Sequence, residues 1–417
     1  MAKIKNISAR EILDSRGNPT LEAKIILDNG ISAKASVPSG ASTGAYEAFE
    51  LRDGDAKRYG GLGVLKAVNK IKEIISPKLI GLNITKQAEI DKIMIALDDS
   101  PNKKNIGANS TLAVSLACAR AAALSQKQEL FNYLQTTYDF TNAPKIPTPL
   151  FNVFNGGKHA DTNLDFQEFL IIPKAGSASR MIQMGAEVFH ELGRVLKESG
   201  YDTDTGAEGG YAPDLDSSIE AIELILAATI RAGYKPGDDL KLGVDVGSSV
   251  LYDASTKKYV FSLDNVYFNS ANLIGLYNEW LKKYPFLYIE DGLAEDDWSN
   301  WRELTDELGD KMLIVGDDLF TTNTKRLRQG LKEKAANAII IKPNQIGTLT
   351  EAVDCIRLAQ THSYKVIVSH RSGETTDDFI VDLAVACGAD YLKAGSLSRG
   401  ERLSKYNRLL EIADIIN

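Results

Sequence analysis

Cysteine is scarce in this chain: Cys118, Cys355 and Cys387 are its only three in 417 residues, odd in number and widely spaced. That excludes a disulfide framework and every cysteine-based metal spacing, and it points to a reducing compartment. No long uncharged apolar run is present, and Met1–Asn6 carries no signal-peptide pattern; the expectation is a soluble cytoplasmic protein with no membrane span. Basic residues do not prevail either. The net charge is −8 and the pI about 5.3, which argues against a nucleic-acid footprint. Such a chain binds an anionic substrate only through local cations or metal ions. Histidine is nearly as rare as cysteine, with four in all, so the position of each one carries information. Internal repeats and low-complexity tracts are absent.

What remains is ordinary globular material, 44% hydrophobic and 25% charged, enough for about two or three domains. Residues 3–15, 21–27 and 31–37 alternate apolar and polar positions around the turns Arg16–Thr20 and Asp28–Gly30, which predicts an antiparallel meander. A loop of small residues follows at Pro38–Gly44, then helical patterns over Val64–Ile75, Lys86–Leu97 and Ser110–Tyr133, the last with Asn109 or Ser110 as N-cap. These make an α+β domain over residues 1–135. The proline-rich connector Pro144–Pro149 marks the boundary. Residues 136–417 then open with two strands, Leu150–Asn155 and Asp165–Ile172, and two helices near Ser179–Ser199 and Ser217–Ala232.

Beyond them one design recurs. Leu240–Asp245, Phe286–Asp291, Met312–Asp318, Ala338–Lys342, Val366–Arg371 and Tyr391–Lys393 are apolar runs that end in charge. Ile339–Ile341 reads as a strand buried on both faces, stopped at Lys342 by Pro343. From Glu290 onward the spacing is roughly 25 residues, which suits a strand and a return helix. The pattern predicts an α/β fold, a parallel barrel or a doubly wound sheet. In an eight-stranded barrel the strand ends, and so these charges, converge on one face.

Asp245, Glu290 and Asp317 end three successive strands. One use of such carboxylates is to cap the following helices; three in adjacent positions instead make an all-oxygen set suited to a hard cation such as Mg²⁺. Asp291 and Asp318 read as supporting or capping groups. Lys342 and Lys393 face that set across the mouth. Burial at a strand end, and each lysine beside the other, is expected to lower a lysine pKa toward that of a base. A metal that polarises a carboxylate beside a lysine base defines proton abstraction to an enolate; the residues alone leave open which lysine is the base. Arg371 and Ser372, after the seventh strand, suit a phosphate. His159 and His370 also fall in these loops, whereas His190 and His362 fall on helical patterns and read as structural or surface groups.

These residues sit in runs that closely resemble the enolase family. The runs are D-S-R-G-N-P-T (14–20), V-P-S-G-A-S-T-G (37–44), N-G-G-K-H-A (155–160), Q-E-F (167–169), I-E-D-G-L-A-E-D-D-W (289–298), G-D-D-L (316–319), K-P-N-Q-I-G-T-L (342–349), S-H-R-S-G-E-T (369–375) and R-G-E-R-L-S-K-Y-N (399–407). The resemblance, bacterial in style, covers essentially the whole chain. It implies an N-terminal α+β capping domain on a ββαα(βα)6 barrel, a homodimer or octamer, and Mg²⁺-dependent interconversion of 2-phosphoglycerate and phosphoenolpyruvate in glycolysis and gluconeogenesis. Lysine base with Mg²⁺ is also a worked pattern for the enolase superfamily. By motif, Asp245, Glu290 and Asp317 match ligands of a first Mg²⁺, and Ser42 the residue that reaches a second. Lys342 matches the C2 base and Lys393 the cation on the substrate carboxylate. Glu208 matches the acid at the C3 hydroxyl, with Glu168 beside it. Arg371 and Ser372 match phosphate contacts, and His159 and His370 line the closed site.

The family pattern G-D-E-G-G is here Gly206-Ala207-Glu208-Gly209-Gly210. Losing that neighbouring carboxylate is expected to lower the pKa of Glu208 and slow dehydration. Two competing readings follow. One is a relative that makes an enolate from an unphosphorylated acid, against which Ser42, Glu208 and the S-H-R-S run argue. The other is a homologue with catalysis weakened by Ala207 and kept for a binding role.

Overall fold

The computed structural model describes residues 1–40 and 44–416. The turn at 14–18 is set by one carboxylate: Asp14 Oδ1 accepts from the backbone N–H groups of Arg16 and Asn18, each at 2.9 Å. Gly17 takes φ 75°, a conformation that glycine adopts without strain. Strand β1 (Ile4–Leu13) therefore folds back on β2 (Pro19–Leu27), and β2 on β3 (Ser32–Ser36), all antiparallel. Leu21, Ala23, Ile25 and Leu27 are fully buried on one face of β2, as a period of two requires. They share a core with the alanine-rich helix Ala108–Ser125, which lies against β2 and β3.

That helix is shorter than the pattern predicts. It stops at Ser125, Lys127 takes a left-handed φ of 55°, and a separate helix resumes over Leu130–Tyr138. Nor is Asn109 or Ser110 its cap. Gly107 precedes the first turn, while Asn109 accepts from the Leu51 N–H at 3.1 Å and Ser110 is placed to donate to the Ala67 carbonyl at 3.2 Å. Both polar side chains are spent on tertiary contacts.

The rest of the chain closes an eight-stranded barrel. Its strands are β4 (Thr148–Asn155), β5 (Glu168–Pro173), β6 (Leu240–Asp245) and, after a small antiparallel meander of β7 (Tyr252–Asp253), β8 (Lys258–Phe261) and β9 (Val266–Phe268), β10 (Phe286–Glu290), β11 (Leu313–Gly316), β12 (Ala338–Ile341), β13 (Lys365–Ser369) and β14 (Tyr391–Lys393). The first strand pairs with the last, Leu150 beside Lys393, which shuts the sheet. In β12, Ala338 and Ile340 join the cluster inside the barrel with Leu150, Leu170, Val315 and Ile367. Ile339 and Ile341 point outward to the helical layer. An apolar run thus serves both faces of a strand that exposes neither.

The cap is anchored on the barrel mouth by backbone as well as charge. Ser39 and Gly373 exchange N–H···O bonds of 2.7 and 3.0 Å, Ser15 N–H reaches the Glu374 carbonyl at 2.7 Å, and Ala48 N–H reaches that of Gln345 at 2.8 Å. Arg120 adds ion pairs to Asp377 and Asp378 at 2.8 and 2.6 Å.

Candidate active site

Seven strands of the barrel end at one mouth, and β5, which runs against its neighbours, begins there. Its first residue, Glu168, consequently lies in register with Asn155 at the end of β4 and Asp245 at the end of β6. Glu290 closes β10 opposite Asp245. Asp317 and Lys342 directly follow β11 and β12, Ser369 closes β13, and Lys393 closes β14. One polar cleft gathers Glu168, Asp245, Asp317, Lys342 and Lys393 with His159, Glu208, His370, Arg371 and Ser372. Ser42 lies outside the described residues.

Lys393 holds the centre. Its Nζ lies 2.7 Å from Glu290 Oε2, 3.1 Å from Asp245 Oδ2 and 3.1 Å from Glu168 Oε2. Burial works to discharge this ammonium, but Asp245, Glu168 and Glu290 outweigh it and hold its pKa well above the ordinary lysine value. Lys342 has Asp317 as its ionic partner. Burial again presses downward, yet Asp317, with Glu290 behind it, helps carry the net shift upward. The expectation of a depressed lysine is thus corrected. Desolvation acts as the strand position implies and is the largest single influence, but carboxylates from other strand ends together leave the net shift upward.

The acids divide. Burial, with Asp245 next, pushes Glu290 well above the ordinary carboxylate range. Its Oε1 is buried and accepts no hydrogen bond from the described residues, while Oε2 also takes one from the Tyr288 hydroxyl. Asp317 is lowered, because Lys342 outweighs the cost of burial; Gln345 donates to its other oxygen at 2.9 Å. Asp291 turns back with φ 43° and accepts from the N–H groups of Asp317 and Asp318 at 2.9 and 2.8 Å, the supporting role expected for it. Asp291, Asp317 and Asp318 bring ligand atoms within 4.8 Å of one another, as do His159, Glu168 and Glu208. Asp245 and Glu290 are drawn together by the Lys393 ammonium instead. Carboxylate oxygens already collected around a positive charge, one of them an acceptor without a donor, are what a hard cation requires. Acidic groups at this mouth could therefore hold a divalent metal, but among the described residues the expected trio Asp245, Glu290 and Asp317 is not one of the sets whose ligand atoms lie within 4.8 Å, because Lys393 takes the first two and Lys342 the third.

Across the mouth, Glu208 is held from several sides. Ser372 Oγ donates to one oxygen at 2.9 Å and Asn152 Nδ2 to the other at 3.0 Å. His370 Nε2 lies 3.5 Å and His159 Nδ1 3.7 Å away. Burial favours the neutral acid, yet His159, His370, Arg402 and Lys393 together hold Glu208 well below the usual range. Glu168 moves the other way, to about 7, through burial and then Glu208. Two buried carboxylates with pKa values pushed apart are a recurring sign of acid–base work. Arg371 meets Glu47 of the cap through both carboxylate oxygens, at 2.8 and 3.1 Å. That fork also matches phosphate.

His190 and His362 lie outside this site, exposed at the surface. The sequence reading missed Asn152, Gln345, Glu47 and Arg402 as site neighbours. Asn152 could have been found as a lone polar residue amid apolar ones in β4, and Arg402 from its place in the R-G-E-R run.

A closed α/β barrel with its ionisable groups gathered at the strand ends, beneath an α+β cap, is an enzyme-type architecture. Residues 4–134 match the family model described as enolase, N-terminal domain, and residues 143–417 that described as enolase, C-terminal TIM barrel domain. The chain belongs to the enolase family.

Proposed function

We propose that this chain is a phosphopyruvate hydratase, reversibly dehydrating 2-phosphoglycerate to phosphoenolpyruvate in cytoplasmic glycolysis and gluconeogenesis. The observation that carries the reading is the pairing of one buried lysine, Lys393, and one partly buried, Lys342, with unequal sets of carboxylates at one barrel mouth, opposite Glu208 and beside Arg371. In this reading residues 1–135 cap a barrel of residues 136–417, and the protein works as a homodimer or octamer without nucleic acid.

Lys342 is the base that takes the C2 proton on Nζ. Its charge rests on Asp317; once Asp317 is engaged elsewhere, Arg371 and Lys393, which already press the Lys342 pKa down, favour the neutral amine. Lys393, with Glu168 as a remaining partner, stays cationic and holds the substrate carboxylate as negative charge builds on it. The C2 electron pair forms the C2–C3 double bond, and the C3 hydroxyl leaves as water on accepting a proton. Glu208, Glu168 and His159 form the cluster that holds this proton, with Glu208 against the hydroxyl. An anionic substrate raises the pKa of Glu208 from its depressed resting position. Arg371 and Ser372 bind the phosphate, while His159 and His370 line the closed site. Asp245, Glu290 and Asp317 would hold one Mg²⁺ and Ser42 would reach a second; when bound, the ions supply positive charge against the carboxylate and phosphate.

The test is phosphoenolpyruvate formation by purified protein with Mg²⁺ and with EDTA. Robust turnover that EDTA abolishes supports the reading. A folded protein with no turnover under either condition overturns it in favour of a homologue kept for binding.

A further inference from the structure

Arg402 lies in the first turn of the helix Gly400–Ile416, has no exposed surface, and sends its guanidinium toward the mouth. Its Nη1 lies 2.5 Å from His370 Nδ1 and 2.7 Å from the Arg371 carbonyl. Its Nη2 reaches the Ser372 carbonyl at 2.6 Å and that of Ala207 at 3.1 Å. One side chain thereby ties the loop after β13 to the loop that carries Glu208.

The contact to His370 has a further consequence. Guanidinium has donors only and stays protonated. The ring nitrogen facing it must therefore present a lone pair, which leaves the proton on Nε2, the atom 3.5 Å from Glu208 Oε2. With the opposite tautomer two lone pairs would face each other across that gap, and two donors would face each other at Nδ1. We infer that Arg402 is a positioning residue that fixes the His370 ring with its proton on Nε2, directed at Glu208. Burial, the largest influence on His370, also drives its pKa well below the ordinary value, in keeping with a neutral ring. Ala207 enters through its backbone: its N–H donates to the His159 carbonyl at 2.9 Å while its own carbonyl accepts from Arg402.

The kinetic part of the test rests on the proposed dehydration; the spectroscopic part does not. In ¹⁵N-labelled full-length protein the chain's four histidines give separable ring signals, and His370→Asn assigns that of His370. The expected wild-type spectrum shows an unprotonated Nδ1 and a protonated Nε2; a proton on Nδ1 overturns the inference. Arg402→Met removes the donors, and Arg402→Lys restores a cation. In Arg402→Met protein shown folded by circular dichroism, the His370 ring is expected to lose the single Nε2–H form. Its kcat should fall about 10- to 100-fold, the scale for losing an outer partner that orients an imidazole, with a smaller change in KM and partial rescue in Arg402→Lys. Wild-type ring shifts retained in a folded Arg402→Met protein would defeat the inference. Should that variant not fold, the wild-type spectrum decides alone. Wild type with the expected ring signals but no turnover would sink the dehydratase reading and leave the Arg402 inference standing.

Discussion

The two lysines at the barrel mouth stand at the ends of β12 and β14, with β13 between them, yet their settings differ. Lys393 is 2% exposed at its side chain and bonded to three carboxylates; Lys342 is 14% exposed and has Asp317 as its ionic partner. Discharging Lys393 would take from three buried acids the cation they share. Lys342 has far less to lose, since Asp317 is its one ionic partner among the described residues. Chemically similar side chains thus meet unequal numbers of acids from neighbouring strands, and the proposed split into a fixed cation and a releasable base rests on that difference.

Lys342→Ala puts the sharpest strain on that comparison. It should cut kcat by roughly 10²–10⁴-fold, the contribution of a positioned base, with little loss of melting temperature; a phosphoenolpyruvate absorbance assay and a thermal melt check both halves. Lys393→Met should do more to the fold. Removing the shared cation leaves Glu168, Asp245 and Glu290 uncompensated, which costs about 3–5 kcal/mol, seen as a lower urea midpoint. Equal destabilisation in both variants would erase the distinction.

Divalent metal should offset part of the Lys393→Met loss. In wild type, Mg²⁺ at about 100 times its dissociation constant should add about 2.7 kcal/mol, read as a higher melting temperature than in EDTA. The smallest effect belongs to Glu47→Gln. Arg371 then loses the Glu47 carboxylate that would compete with phosphate, and KM should fall about two- to fivefold, the scale of one modest ion pair. An unchanged KM would mean that Glu47 does not compete for Arg371.

Much of this site was legible because apolar runs ending in charge are conspicuous, and a barrel leaves their ends nowhere to go but one mouth. Asp245, Glu290, Asp317, Lys342 and Lys393 could be named that way. The reversed direction of β5 could not be read from its pattern, because a buried strand looks the same both ways; register alone puts Glu168 beside Asp245. The meander over 252–268 escaped notice because its strands are short and partly exposed. The lysines were misjudged for a related reason. Desolvation follows from a residue's own strand, whereas the carboxylates that overcome it arrive from other strands. The break at Lys127 shows the same limit locally: helix propensity ran through a position that the fold turns left-handed.

The most direct test of the division between the lysines is exchange of the C2 hydrogen of 2-phosphoglycerate in heavy water, followed by NMR in wild type, Glu208→Gln and Lys342→Ala. The account predicts that Glu208→Gln still exchanges C2 deuterium while making little phosphoenolpyruvate, and that Lys342→Ala, folded and still carrying Lys393, does neither. Undiminished C2 exchange in Lys342→Ala would contradict it.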